Sequence, residues 1–162
     1  MLLIAKQLHE ISFGALMEVY REGNQENGAL MHPELPESQQ IFNAEQAFYQ
    51  FLAEVFFVTE GAVYVLWEEG GKYASALRLE PYGDGLLLEA LETAPAYRRK
   101  GYAERLMRAV QEKFPQKIYS HVSKRNKASL AIHKKCGFRQ IHDHARYIDG
   151  SVSTNAVTLC YP

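Results

Sequence analysis

Cysteine is scarce in this chain: 2 among 162 residues, Cys136 and Cys160. Both sit in apolar or helical contexts with no secretory signal before them. They read as buried, reduced thiols of a cytoplasmic protein, with a single disulfide as the lesser alternative. Long apolar runs are missing too. No stretch approaches the roughly 18 apolar residues that span a membrane, and the opening MLLIAKQL has no cleavage-site pattern, so it reads as a first strand. An excess of one charge is also lacking. The 18 basic and 19 acidic side chains give a net charge of -1. That balance argues against a general nucleic-acid binder but allows a local phosphate site. There is no internal repeat, low-complexity tract or linker, so residues 1–162 read as one domain.

What is present is enough for a core, since 47% of the residues are apolar. A first strand is expected over about 1–7 and a short helix near 12–21. Residues 22–37 hold Gly23, Gly28, Pro33 and Pro36 and read as irregular. Ser38 opens a helix in which Ile41, Ala44, Phe48, Phe51, Leu52 and Val55 recur at helical spacing, which predicts one core-facing side. Three strands follow, at 62–69, 72–80 and 85–92. Gly70-Gly71 signals a hairpin between the first two. The third is almost wholly apolar at its center, as in a strand covered on both faces. Tyr64 and Trp67 read as sheet packing.

After Gly101 the period changes to that of an amphipathic helix, through Ala103, Leu106, Met107, Val110 and Phe114. A strand over 117–123 and a helix over 126–136 follow, with Gly137 as a left-handed cap. Residues 138–148 and 152–161 close the chain as two strands joined through Asp149-Gly150. The order predicts an α/β (α+β) fold: a mixed, mostly antiparallel twisted sheet of about seven strands flanked by about four helices.

The stretch PAYRRKGYAER, residues 95–105, lies between the buried third hairpin strand and the amphipathic helix. A helix start has unpaired N–H groups and a positive dipole end, and it binds phosphate. Gly101 lets the backbone approach a ligand, Ala103 keeps the next turn narrow, and Arg98, Arg99 and Lys100 add charge. The competing reading makes these basic residues solvated surface. Neither a Walker loop nor a dinucleotide fingerprint is present.

Arg98-x-x-Gly101-x-Ala103 resembles the Arg/Gln-x-x-Gly-x-Gly/Ala motif of the GCN5-related N-acetyltransferases (GNAT). Asn126 followed by IHKKCGF (132–138) resembles that family's second acyl-CoA segment, and the element order extends the likeness over nearly the whole chain. The resemblance implies acetyl-CoA as cosubstrate, no metal and an amine acceptor. It also implies that main-chain groups of Leu91 and Thr93 pair with the pantetheine arm. The loop of Arg98, Arg99, Lys100, Gly101, Tyr102 and Ala103 would hold the pyrophosphate. Asn126 would contact the cosubstrate, although a helix N-cap is an equal and compatible reading. His133 stands where the family commonly has a tyrosine acid. It reads either as that acid or as a packing and CoA-contacting residue.

Amine acylation needs a base for the attacking amine. Strand alternation puts Glu89 on the same face as Leu91 and Thr93 and points Glu92 the other way. A carboxylate in an apolar run should have a raised pKa, which suits a base. The alternative for Glu89 is an ion pair with Arg78 on the neighbouring strand, or a substrate contact. His142 and His144 flank Asp143 with no clear third ligand, so they read as exposed strand residues.

The leading expectation is an N-acetyltransferase acting on a primary amine of a small-molecule acceptor by direct attack in a ternary complex. A noncatalytic acyl-CoA sensor and an acetyltransferase for a protein amine stay open. No nucleic acid or membrane partner is expected; a homodimer is compatible. The acceptor should lie between residues 22–37 and the loop near 146–153. Glu22, Glu26, Glu34 and Glu37 there favour a cationic amine.

Overall fold

The computed structural model describes residues 1–162. Gly70 and Gly71 adopt φ of 58° and 80°, the left-handed pair that a two-residue hairpin turn requires. They join β2 (Val63–Glu69) to β3 (Lys72–Tyr82). On one side of this hairpin lies β1 (Leu2–Ala5), antiparallel to β2, and on the other β4 (Gly85–Thr93), antiparallel to β3. Next comes β5 (Ile118–Ser123), parallel to β4. Antiparallel β9 (Ala156–Tyr161) and β6 (Arg139–His142) complete a seven-stranded sheet in the order β1-β2-β3-β4-β5-β9-β6.

The two closing strands expected from the sequence are each broken. Between β6 and β9 a separate ribbon forms from β7 (Ala145–Arg146) and β8 (Val152–Ser153). Asp149 and Gly150 lie in its tip, where the Asp149 side chain accepts from the Ser151 backbone N–H at 2.9 Å.

Helices cover both faces. On one face, α1 (Phe13–Val19) and α3 (Glu37–Phe51) pack through Leu16, Met17, Val19 and Phe48 against Tyr64, Leu66 and Ala76. On the other, α4 (Tyr102–Lys113) and α5 (Lys127–Lys135) flank a core of Val65, Leu77, Leu79, Leu106, Met107 and Val110. Leu86, Leu87 and Leu88 of β4 are all buried between the two layers, as a doubly covered strand requires.

Residues 22–37 are not irregular. Most of the segment is a further helix, α2 (Arg21–Met31), which makes five helices rather than four. One of the glycines that argued against it, Gly28, has a packing role. A Cβ on Gly28 would lie 2.4 Å from the backbone oxygen of Gln40, so the residue permits close packing of α2 on α3. A second difference lies at the end of α3. The helix widens there into a π-type turn over Leu52–Phe56, closed by Phe57 N donating to Leu52 O at 3.0 Å. The extra residue shifts the helical phase. Leu52 and Phe56 reach the core, whereas Val55, expected inside, is 53% exposed. Both cysteines are free.

Candidate active site

β4 and β5 pair only from Leu86 opposite Ile118 to Leu88 opposite Ser120. Beyond Leu88 they part, and one edge of β4 is left without a strand partner. The divergence coincides with a bulge. Arg78 of β3 lies opposite Glu89 and Ala76 opposite Glu92, so Leu77 faces both Ala90 and Leu91. Ala90 is left-handed, with φ of 53°, a conformation one type of bulge uses for its extra residue. Tyr20, at the joint of α1 and α2, pins the bulge by donating its hydroxyl to the Ala90 carbonyl at 2.6 Å.

The bulge overturns the alternation argument for β4. Glu89 does not share a face with Leu91. It lies with Arg78 and Glu80 on the α1–α3 side, while Leu91 packs into the α4–α5 core. Glu92, expected opposite Glu89, falls on the Glu89 side and comes within 3.9 Å of Arg98. Thr93 and Leu91 line a cleft of about 290 Å³ with Ala103, Asn126, Ser129 and Ile132.

The ion pair with Arg78, the alternative reading for Glu89, does not form. Arg78 stacks its guanidinium among aromatic rings, 4.9 Å from Phe51 and 5.6 Å from Phe56. Its Nε and one oxygen of Glu89 are buried without hydrogen-bond partners. Burial, then the neighbouring Glu80 carboxyl, push the Glu89 pKa up to about 8, against a smaller opposing pull from Arg78.

The basic loop divides its labor. Gly101 caps α4 with φ of 80° and gives no side chain to the first-turn N–H groups, which therefore stay available to a ligand. Arg99 is also left-handed, with φ of 60°. Arg98 does not project freely. It makes a bidentate pair with Glu22 of α2, both bonds at 2.9 Å, and its Nε donates to the Thr93 carbonyl at 3.4 Å. Lys100 donates to the Ala96 carbonyl at 3.3 Å. The Tyr102 ring packs edge-on against Tyr97 at 5.5 Å. Asn126 is the N-cap of α5, accepting from Ser129 N at 3.1 Å, and it also lines the cleft.

His133 is 1% exposed. Nδ1 lies 2.7 Å from the Ser129 carbonyl and Nε2 lies 2.8 Å from Ser120 Oγ. A carbonyl can only accept, so Nδ1 carries the hydrogen and Nε2 accepts from Ser120. Burial lowers the His133 pKa, and the neutral ring holds Ser120 in place. Ser120, His133, Leu88 and Ala90 line a cavity of about 150 Å³ where the two strands part.

Sequence reasoning missed Tyr20, Ser120 and His121. His121 follows Ser120 on β5 and lines the same cavity, with its ring edge-on to Tyr147 of the ribbon at 5.1 Å. Its pKa is lowered by burial. Alternation on β5 was readable, but the pairing of β5 with β4 was not. His142 and His144 stack at 5.3 Å on the surface.

A strand pair opening beside a capless helix start, with a raised carboxyl at its mouth, is a setting for a phosphate-bearing ligand and a proton acceptor. The family profile described as acetyltransferase (GNAT) family matches residues 24–138. The chain belongs to the GNAT acetyltransferase family. No curated protein sequence matches this GNAT chain well enough to count as a relative. Solved structures share its fold. PaiA N-acetyltransferase of Thermoplasma acidophilum in complex with coenzyme A superposes with a TM-score of 0.65 at 13% identity, covering 99% of this chain and 98% of that one. An N-acetyltransferase of Staphylococcus aureus Mu50 gives 0.66 at 16%, covering 98% and 100%. The ribosomal-protein-S18-alanine N-acetyltransferase of Escherichia coli gives 0.61 at 18%, covering 100% and 94%. No helix of the GNAT chain is long and apolar enough to cross a membrane.

One prediction tests the bulge. Tyr20→Phe should lower stability by about 1 kcal/mol, the usual worth of one internal hydrogen bond. It should also loosen the opening, so acetyl-CoA binding weakens along with the melting midpoint. Thermal melting and calorimetric titration of the same sample check both.

Proposed function

We propose that the chain, acting as one unit over residues 1–162, transfers the acetyl group of acetyl-CoA to a primary amine of a small-molecule acceptor by direct attack in a ternary complex. The parting of β4 from β5 at the Ala90 bulge carries this reading. It opens a slot with a strand edge on one side and a helix start at one end. Acetyl-CoA supplies an activated thioester. Main-chain groups of Leu91 and Thr93 bind its arm along the free edge of β4. The α4 start, from Arg99 to Ala103, receives the pyrophosphate, with Lys100 and Tyr102 at its rim and Asn126 across the cleft.

Arg98 acts as a strut that ties the loop to α2 through Glu22. Glu89 is the base that takes the proton from the acceptor's nitrogen. His133 is a positioning residue: both its nitrogens are engaged, and it fixes Ser120 at the wall of the cavity where the two strands part. Direct attack fits the cysteines. Burial raises the pKa of both Cys136 and Cys160, and neither lines the cavity, so neither is suited to carry an acyl group. Two free thiols also fit a reducing, cytoplasmic setting.

The test is a mass-spectrometric screen of primary amines with acetyl-CoA. New acetylated small molecules support the reading. Coenzyme A binding without turnover on any amine or peptide would make the chain a sensor. Acetylation of peptides alone would move the acceptor to a protein amine.

A further inference from the structure

Glu80 and Glu89 are neighbours on the sheet face that looks toward α1 and α3. Arg78 lies directly opposite Glu89 in the β3–β4 register, and Glu80 is two residues further along β3, opposite Leu87. Period two puts Arg78 and Glu80 on one face, and Glu80 sits diagonally from Glu89 within side-chain reach. The Glu80 carboxyl is near enough to raise the Glu89 pKa, second only to burial.

Two partly buried carboxyls side by side call for a cation once both are ionised, because buried charge is stable only when paired. The fold supplies none. No ion pair reaches Glu80 or Glu89, although surface pairs such as Lys117–Asp84 and Lys135–Glu104 form elsewhere. Arg78 turns its charge to the Phe rings. One oxygen of Glu89 stays orphaned, and so does the hydroxyl of Tyr64, a fully buried residue whose pKa burial, with a smaller push from Glu89, raises to about 12. Position gives the unpaired carboxyls their meaning. Glu89 directly follows Leu88, the last residue of β4 paired with β5, at the mouth of the opening.

We propose that Glu80 and Glu89 together receive the acceptor's ammonium group, with Glu80 the residue that selects a cationic primary amine and holds it while Glu89 takes its proton. This rests on the transferase reading above. The transfer breaks one N–H bond of the ammonium and forms one O–H bond on Glu89, leaving the neutral amine beside a Glu80 that still anchors it. Arg78 on β3 and Tyr64 on β2 are the other titratable groups facing this point, with Tyr20, at the α1–α2 joint, next to both. The acidic side chains of residues 22–37 are not needed for cation selection; Glu22 is already engaged by Arg98.

The experiment has two arms. In the first, Glu80→Gln is assayed with an alkyl primary amine and with an aniline, which is neutral at pH 7. The Michaelis constant for the alkylamine should rise about 10- to 100-fold, the scale of a hydrogen bond to a charged group. Those for the aniline and for acetyl-CoA should stay, and the acidic limb of kcat/KM should move to lower pH. In the second, the side-chain carboxyls are followed by carbon NMR without acetyl-CoA while butylammonium chloride is added. Saturable shifts at Glu80 and Glu89, absent with sodium chloride and lost in Glu80→Gln, are expected. Unchanged alkylamine constants with an unmoved limb, or shifts that sodium reproduces, would overturn the proposal. If no amine is acetylated, the transferase reading fails, and the NMR arm alone then decides whether this site binds ammonium.

Discussion

Glu89→Gln should lower kcat for amine acetylation by about 10²- to 10³-fold, the usual contribution of a positioned base. Glutamine keeps the shape and a hydrogen-bonding oxygen but cannot take a proton. Acetyl-CoA affinity should be nearly unchanged, because the groups proposed to hold the cosubstrate lie on the other side of β4. In the wild-type chain kcat/KM should climb with pH through about 8, where Glu89 loses its proton, and in the variant that limb should vanish. Stability should move the opposite way. Folded Glu89 holds its proton to about 8, whereas the unfolded chain releases it near 4.5. The native state therefore binds more protons between those values, and stability falls as pH rises through them. Discounting for partial exposure, the variant should gain about 1–2 kcal/mol over wild type at pH 8 and nothing at pH 4. Denaturant midpoints at the two pH values check this. A variant that is both active and no more stable would remove Glu89 as the base.

Gly101→Val should weaken acetyl-CoA binding by about tenfold or more, since a left-handed conformation costs an ordinary residue about 1–2 kcal/mol and a β-branched one more. The reason is conformational. A Cβ at Gly101 would meet nothing within 4 Å, yet φ is 80°. To relieve the strain the loop must rotate, which turns the α4 N–H groups away from the phosphates. Gly101→Asn should lose much less, because asparagine tolerates this region. Titration calorimetry of the three proteins measures the series. Equal affinity in all three would mean that the helix start does not hold the diphosphate.

Much of the fold was legible because its cues are local. Gly70-Gly71 forces a hairpin, Leu86 to Leu88 read as a doubly covered strand, and Gly137 ends α5 with φ of 88°. α2 was not legible, since Gly28 looks like a breaker until the backbone of α3 is seen beside it. Of the site, the Gly101 helix start could be read directly. The facing of Glu89 could not, because one extra residue at Ala90 resets the alternation of β4 and leaves no mark of its own in the sequence. Ser120 and His121 escaped for a related reason: their importance comes from pairing with a strand some thirty residues away in the chain, which the pattern of β5 alone does not encode.

The sheet is also a partition. In the proposed function the groups assigned to the donor lie on the α4–α5 side and those assigned to the acceptor on the α1–α3 side, and Arg98 and Glu22 tie the basic loop to α2. Substitutions on opposite sides share few neighbours, so their energetic effects should sum. Under the proposed function, the acceptor layer could be altered by substitution while the α4 helix start in the other layer stays intact.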